Sequence, residues 1–335
     1  MNKAWRVAAI VSTVAGCGGG SDGGGAADMS MAPPADMTPA GPEVCKTDNQ
    51  PVALGAHYGV EAKLLVHVSI PALFDQDATS TLLLLADIAD NGRTVTVHPC
   101  HIDIPKVALP VKNTPPVVLT ASDALVQSLK AIQSTATLGG NTTCASFDSD
   151  PLAIVIGAHL AMPSTDPLPS YVANAMPPVK LCGGMASVTC DATMDDGCIC
   201  DQDADGKPGA TVSASGLPSL DDVDEVYLAL RTVVSLDGMV FPPTMGQLTA
   251  GQRLKGKVAG LKLEQSPVGC RQTPAGGGGT HQDCSDMIVK AVAGLNPTIT
   301  PSQSGDSPFV AMPVPDGETC QQLVTDAPTL FKGQF

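Results

Sequence analysis

Aromatic side chains are scarce in this chain of 335 residues. They make up 3% of it, with one Trp, three Tyr and six Phe. Surfaces that bind sugars or single-stranded nucleic acid rely on exposed aromatic platforms, which this composition does not supply. A carbohydrate-binding role is therefore not expected, and the core must be built from Leu, Val, Ile and Ala. Positive charge is also scarce: 18 Lys and Arg stand against 33 Asp and Glu, a formal net charge of −15. No basic patch is available to neutralise phosphates, so nucleic acid is not an expected partner.

Catalytic signatures are missing too. There is no Gly-x-Ser-x-Gly elbow. The run Gly276 to Gly279 lacks the Lys-Ser/Thr of a phosphate loop and reads as linker. Gly305-Asp306-Ser307-Pro308 has the form of a serine-protease nucleophile segment. However, Pro308 stands where a glycine would help form the oxyanion hole, and no His sits in a matching context. His98, Cys100, His101 and Asp103 group potential metal ligands. On a strand, His101 and Asp103 share a face and His98 points the other way, so no third ligand converges. Asn141-Thr142-Thr143 matches a glycosylation sequon, but the bacterial export argued below gives it no context for use. No catalytic residue is assigned.

The N-terminus is more informative. Met1 to Arg6 carries two cations, Lys3 and Arg6, and Val7 to Val14 is a short apolar stretch. This is the layout of an export signal, too short to span a bilayer. The run Val14-Ala15-Gly16-Cys17 ends it and resembles the lipobox of bacterial lipoprotein precursors. Val14 stands where such motifs usually have leucine. The resemblance implies that residues 1–16 are removed and that Cys17 carries diacylglycerol. It also implies a protein exported to the cell envelope, at the outer membrane, and held to the membrane by its lipid. Residues 17–43 are rich in Gly, Ala and Pro, have no apolar periodicity and read as a disordered tether. Such a segment has an r.m.s. reach of about 30 Å. Without the signal, Lys and Arg fall to 16 and the formal charge becomes −17.

Eleven cysteines are present. Setting Cys17 aside leaves an even set: Cys45, Cys100, Cys144, Cys182, Cys190, Cys198, Cys200, Cys270, Cys284 and Cys320. In an oxidising compartment these are expected as five disulfides whose connectivity cannot be read from spacing. One local pair stands out, Cys270 with Cys284, which would close the glycine-rich loop between them. The cluster Cys182, Cys190, Cys198, Cys200 lacks the paired Cys-x-x-Cys spacing of a zinc knuckle.

Residues 44–335 are long enough for a real core. Segments 44–178 and 201–335 stand as two potential halves, joined by a Cys-rich loop at 179–200. Lys63 to Ile70 alternates, with Leu64, Val66, Val68 and Ile70 on one face, which predicts a strand. Thr81 to Ala89, Arg93 to His98, Ile154 to Leu160, Glu225 to Leu236 and Arg253 to Leu263 also read as strands. Gly256 and Gly260 mark bends or bulges in the last. Asn91-Gly92 and Asp237-Gly238 read as hairpin turns and hint at a duplicated β unit. Ser122 is a candidate N-cap for a helix over 124–132, and a short helix is expected near Cys320 to Val324. The expected fold is mainly β, an antiparallel sandwich or partly open barrel with one or two short helices.

The sharpest chemical motif is Asp201-Gln202-Asp203-Ala204-Asp205-Gly206-Lys207-Pro208-Gly209. Carboxylates at alternate positions before a glycine let a turning backbone aim them at one hard cation. Asp201, Asp203, Asp205 and the Lys207 carbonyl are the candidate calcium ligands. Asp195, Asp196, Asp221, Asp222 or Asp224 are candidates to complete the shell. The twelfth position is Val212, not the Glu of an EF-hand, so a turn and strand should follow. The plainer reading is a solvated acidic turn. This loop, the Gly209-Ala210-Thr211-Val212 run, Tyr227 to Arg231 and the late cysteines resemble uncharacterised lipoproteins of high-GC Gram-negative bacteria. That resemblance implies an address and a loop, and no activity. The leading expectation is a non-enzymatic, lipid-anchored envelope protein acting as a binding or structural module with a calcium-ordered loop. A carrier of an apolar ligand in a β-barrel cavity is the alternative, and a hydrolase with unplaced catalytic residues is the third.

Overall fold

The computed structural model describes residues 57–70, 74–89, 93–103, 117–139, 146–172, 175–191, 195–217, 220, 222–241, 252–273 and 281–335. Cys17, Cys45, Cys144, Asp221, the Asn91-Gly92 turn, the sequon at Asn141 and the run Gly276 to Gly279 lie outside them. In chain order the strands begin with β1 (His57–Ile70), β2 (Phe74–Ile88), β3 (Thr94–Ile102) and β4 (Val118–Ala121). After helix α1 (Asp123–Ser128) come β5 (Ser134–Gly139), β6 (Ser146–Ser149), β7 (Leu152–Ile156), β8 (Ala158–His159) and β9 (Cys198–Ile199). Then follow β10 (Ala210–Ser215), β11 (Val223–Phe241), β12 (Arg253–Gln272) and β13 (Gln282–Asp283). Helix α2 (Asp286–Gly294), β14 (Thr298–Pro301), β15 (Ser307–Pro313) and helix α3 (Cys320–Leu330) complete the fold.

Among the described residues, thirteen strands form one antiparallel sheet in the order β13-β12-β15-β1-β2-β3-β5-β6-β11-β10-β4. β14 pairs with β1, and β7 with β11. β11 also pairs with β12, which bends the sheet back on itself. The result is partly ring-like and is not a closed barrel. The segments before 178 and after 201 interleave in this sheet: β4 lies on β10, β6 and β7 on β11, and β15 on β1.

The alternation in β1 aims Val60, Ala62, Leu64, Val66 and Val68 at the main core, each under 5% exposed. Period-two patterning of this kind is what a half-buried strand requires. Leu82 to Leu85 and Val226 to Val234 are nearly continuous apolar runs, because other elements cover their outer faces. On one outer face Leu83, Val310 and Met312 pack against Leu323 and Phe331 of α3 and its C-cap. The Cys100–Cys320 disulfide fixes that contact. On another, Tyr227, Ala229 and Val268 pack against Ala158, Val179 and Ile199 of the loops between β7 and β10. Arg231, 2% exposed, ties those loops down. Its Nε donates to Glu264 Oε2 at 2.6 Å, its Nη2 donates to the same oxygen, and its Nη1 donates to the Pro163 and Asp166 carbonyls.

Three expectations change. Asp237-Gly238 is no turn: β11 runs straight through it, with Asp237 opposite Lys257 and Gly238 opposite Gly256. Glycine is needed there for close approach. A Cβ on Gly256 would stand 2.1 Å from the Asp237 carbonyl oxygen, and one on Gly238 3.0 Å from the Phe147 ring. The duplicated-hairpin hint falls with it. The strand expected over 154–160 breaks at Gly157, whose φ of 75° lies in the left-handed region. β12 extends to Gln272 past Pro267, which β12 accommodates beside a register shift. Helix α2 was not foreseen, whereas α1 begins where Ser122 was expected to cap it.

Candidate metal centre

Residues 201–209 link β9 to β10 and are closed by two backbone bonds, Gln202 N to Gly209 O and Gly209 N to Cys200 O, both 2.9 Å. Gly209 has φ 91°, and a Cβ there would lie 2.8 Å from the Leu228 carbonyl oxygen. No other residue type fits at that point without displacing β11. Two interleaved disulfides, Cys182–Cys198 and Cys190–Cys200, pin the preceding segment. The four cysteines are consumed in these bonds and leave no thiolate for a metal. Cys270 pairs with Cys284.

The three loop carboxylates converge. A calcium ion holds oxygens at about 2.4 Å, so atoms sharing one ion stand at most about 4.8 Å apart. One oxygen from each of Asp201, Asp203 and Asp205 meets that limit, all lying within 4.8 Å of one another. Asp201 is 2% exposed and Asp203 8%, while Asp205 is exposed.

The donors around them explain the loop's shape. Asp201 accepts from the backbone of Asp205 at 3.3 Å and of Gly206 at 2.8 Å. Asp205 accepts from Lys207 N at 2.8 Å and from the Thr211 hydroxyl at 2.7 Å. Asp203 Oδ2 accepts from Thr211 N and from the Ser122 hydroxyl, each at 3.3 Å. Asp203 Oδ1 is buried and has no hydrogen-bond partner among the described residues. A buried carboxylate oxygen without a donor is costly unless a cation or proton meets it. Burial, followed by repulsion from Asp205 and weaker repulsion from Asp201, pushes the Asp203 carboxyl up to about 6. A cation among the three carboxylates would reverse that balance.

Lys207 directs its ammonium to Asp283 at 2.7 Å, beside the Tyr227 ring. Burial, more than the nearby Asp283 charge, raises the Tyr227 hydroxyl well above its ordinary range. Val212, at the twelfth position of the motif, is fully buried in β10 opposite Val226 and Ala121. Among the described residues the convergent set does not include Asp195, Asp196, Asp222 or Asp224. Asp196 faces His159 at 3.4 Å, and Asp224 binds Thr273 and His281.

Two links from the loop to its surroundings were not legible in the sequence. Ser122 caps α1 by accepting from Leu125 N at 3.0 Å, and its hydroxyl also reaches Asp203. Gln202 Oε1 accepts from Gly157 N at 3.1 Å. Of the constellations set aside, Ser307 is 6% exposed and its hydroxyl oxygen accepts from Leu65 N at 2.8 Å. It fastens β15 to β1. Cys100 lies at a register shift between β2 and β3 and turns to α3.

No family model matches this chain, and neither does any curated protein or solved structure.

Proposed function

We propose that this chain is a lipid-anchored, non-enzymatic envelope protein. Its disulfide-braced β domain serves as a binding or structural module, ordered at one end by a calcium ion. The observation that carries the ion is Asp203 Oδ1, buried beside two other carboxylates with no donor of its own. Asp201, Asp203, Asp205 and the Lys207 carbonyl are the assigned ligands, with water completing the shell. Hard-oxygen chemistry favours calcium over a softer metal. The address rests on the Val14-Ala15-Gly16-Cys17 run and fits the disulfides, which persist in oxidising compartments.

Calcium titration by calorimetry tests the ion. Heat with one site per chain, and a melting point raised by calcium and lowered by chelator, are expected. No heat and no shift at millimolar calcium would refute it. The anchor is tested separately by detergent partitioning: the mature protein enters the detergent phase, and Cys17→Ser abolishes processing or releases the protein.

A further inference from the structure

On the other side of Leu228 from the acidic loop's backbone contact, the two sides of the bent sheet leave a cavity of about 110 Å³. Val66 and Val68 of β1 wall one side; Ile154 and Ile156 of β7 and Leu228 and Leu230 of β11 wall the other. Its two charged residues, Arg231 and Glu264, bind each other. The Ser80 hydroxyl at the wall donates to the Asp103 carbonyl at 2.6 Å. Among the described residues the lining therefore offers no free charge to grip a head group. Half-buried Leu119 and Ile299 complete its rim.

From this geometry we infer that the cavity is a binding site for a small uncharged alkyl group of about four carbons. The volume sets the size. Ligand pockets for drug-sized molecules begin at ~300 Å³, and a dry cavity of ~150 Å³ accepts benzene. Scaled from the six carbons of benzene in ~150 Å³, the space holds about four carbons. A whole lipid chain does not fit, so the apolar-carrier expectation narrows to a short alkyl compound or the end of a longer chain. The wall chemistry sets the class, because a polar or charged ligand would lose its hydration with nothing in return. The site is independent of the calcium reading, since none of the loop carboxylates lines it.

A series of 1-alkanols from ethanol to octanol, followed by methyl NMR of Ile154, Ile156 and Leu228, tests this. Affinity should rise about fourfold per methylene and stop rising near butanol. A plateau beyond butanol assigns the site to the end of a longer chain. A fall beyond butanol assigns it to free small compounds. Ile154→Phe fills the space and should abolish the shifts. Should that variant fail to fold, the wild-type break at butanol still decides. A rise that continues unbroken to octanol, or shifts confined to surface methyls, would overturn the inference.

Discussion

Asp203→Asn should stabilise the protein in chelator and lose that advantage over wild type in calcium. Without an ion, wild-type Asp203 is a buried carboxylate facing two others, and its carboxyl is raised from 3.8 to about 6. Above both values this corresponds to at most about 3 kcal/mol against folding. Solvent reaching the loop reduces it, so about 1–2 kcal/mol is expected. The amide keeps the acceptor for Thr211 and Ser122 and adds a donor facing the two remaining carboxylates. At about 2–4 °C per kcal/mol for a chain of this size, the variant should melt a few degrees higher in chelator. Calcium closes the gap. With a dissociation constant of about 1 mM, 10 mM calcium adds about 1.4 kcal/mol to wild type and little to the variant.

The pH dependence has a definite sign. Between about 4 and 6 the folded chain holds a proton on Asp203 that the unfolded chain has lost. Its contribution to apo stability therefore falls as pH rises through that window. The Asp203→Asn substitution should remove this slope. The assay is thermal unfolding at several pH values, with chelator and with calcium. A variant that melts lower by the same amount in both conditions would refute the reasoning, because Asp203 would then be an ordinary structural acceptor.

Other expectations follow from the packing. His67, clamped by Asp77 and Asp75 through its two ring nitrogens, should titrate above 6.5 by NMR. Its stabilising contribution is full below 6.5 and is lost as pH rises through the folded value. A midpoint at or below 6.5 would show that the clamp does not form. Arg231→Met should cost about 2–3 kcal/mol in denaturant unfolding, less than for a fully buried pair because Glu264 is partly exposed and keeps Lys262. A loss under about 1 kcal/mol would show that the buried ion pair is dispensable. Replacing Cys190 and Cys200 by Ser opens a loop of separation 10 and should cost about 3 kcal/mol. It should also shift the calcium titration to higher concentration, and an unchanged titration would detach the disulfide from the loop.

Strand character was legible where alternation was strong. The face of Leu64, Val66 and Val68 is buried, because a two-residue period admits one interpretation. The first half of β2 was missed: Asp75, Asp77 and Thr79 look like loop residues, yet they pair with β1 across His67. Cross-strand partners are not encoded in a single strand's pattern. Asp237-Gly238 misled for the same reason. A glycine demanded by a neighbouring backbone has the same sequence signature as one demanded by a turn. At the candidate metal centre, the alternating aspartates were visible as a local motif. Burial of Asp203 and the contact from Ser122, 81 residues away, depend on the sheet's long-range order and left no local trace.

The lengths of β11 and β12 give the molecule two poles. The chain enters the described fold at His57, near where Leu254 of β12 pairs with β15. The acidic loop lies against Leu228 and Tyr227, opposite Pro267 and Gly269 at the far end of the same strand. From Leu254 to Gly269 a strand rising about 3.3 Å per residue covers roughly 45–50 Å. His57 and the acidic loop therefore lie toward opposite ends of β12.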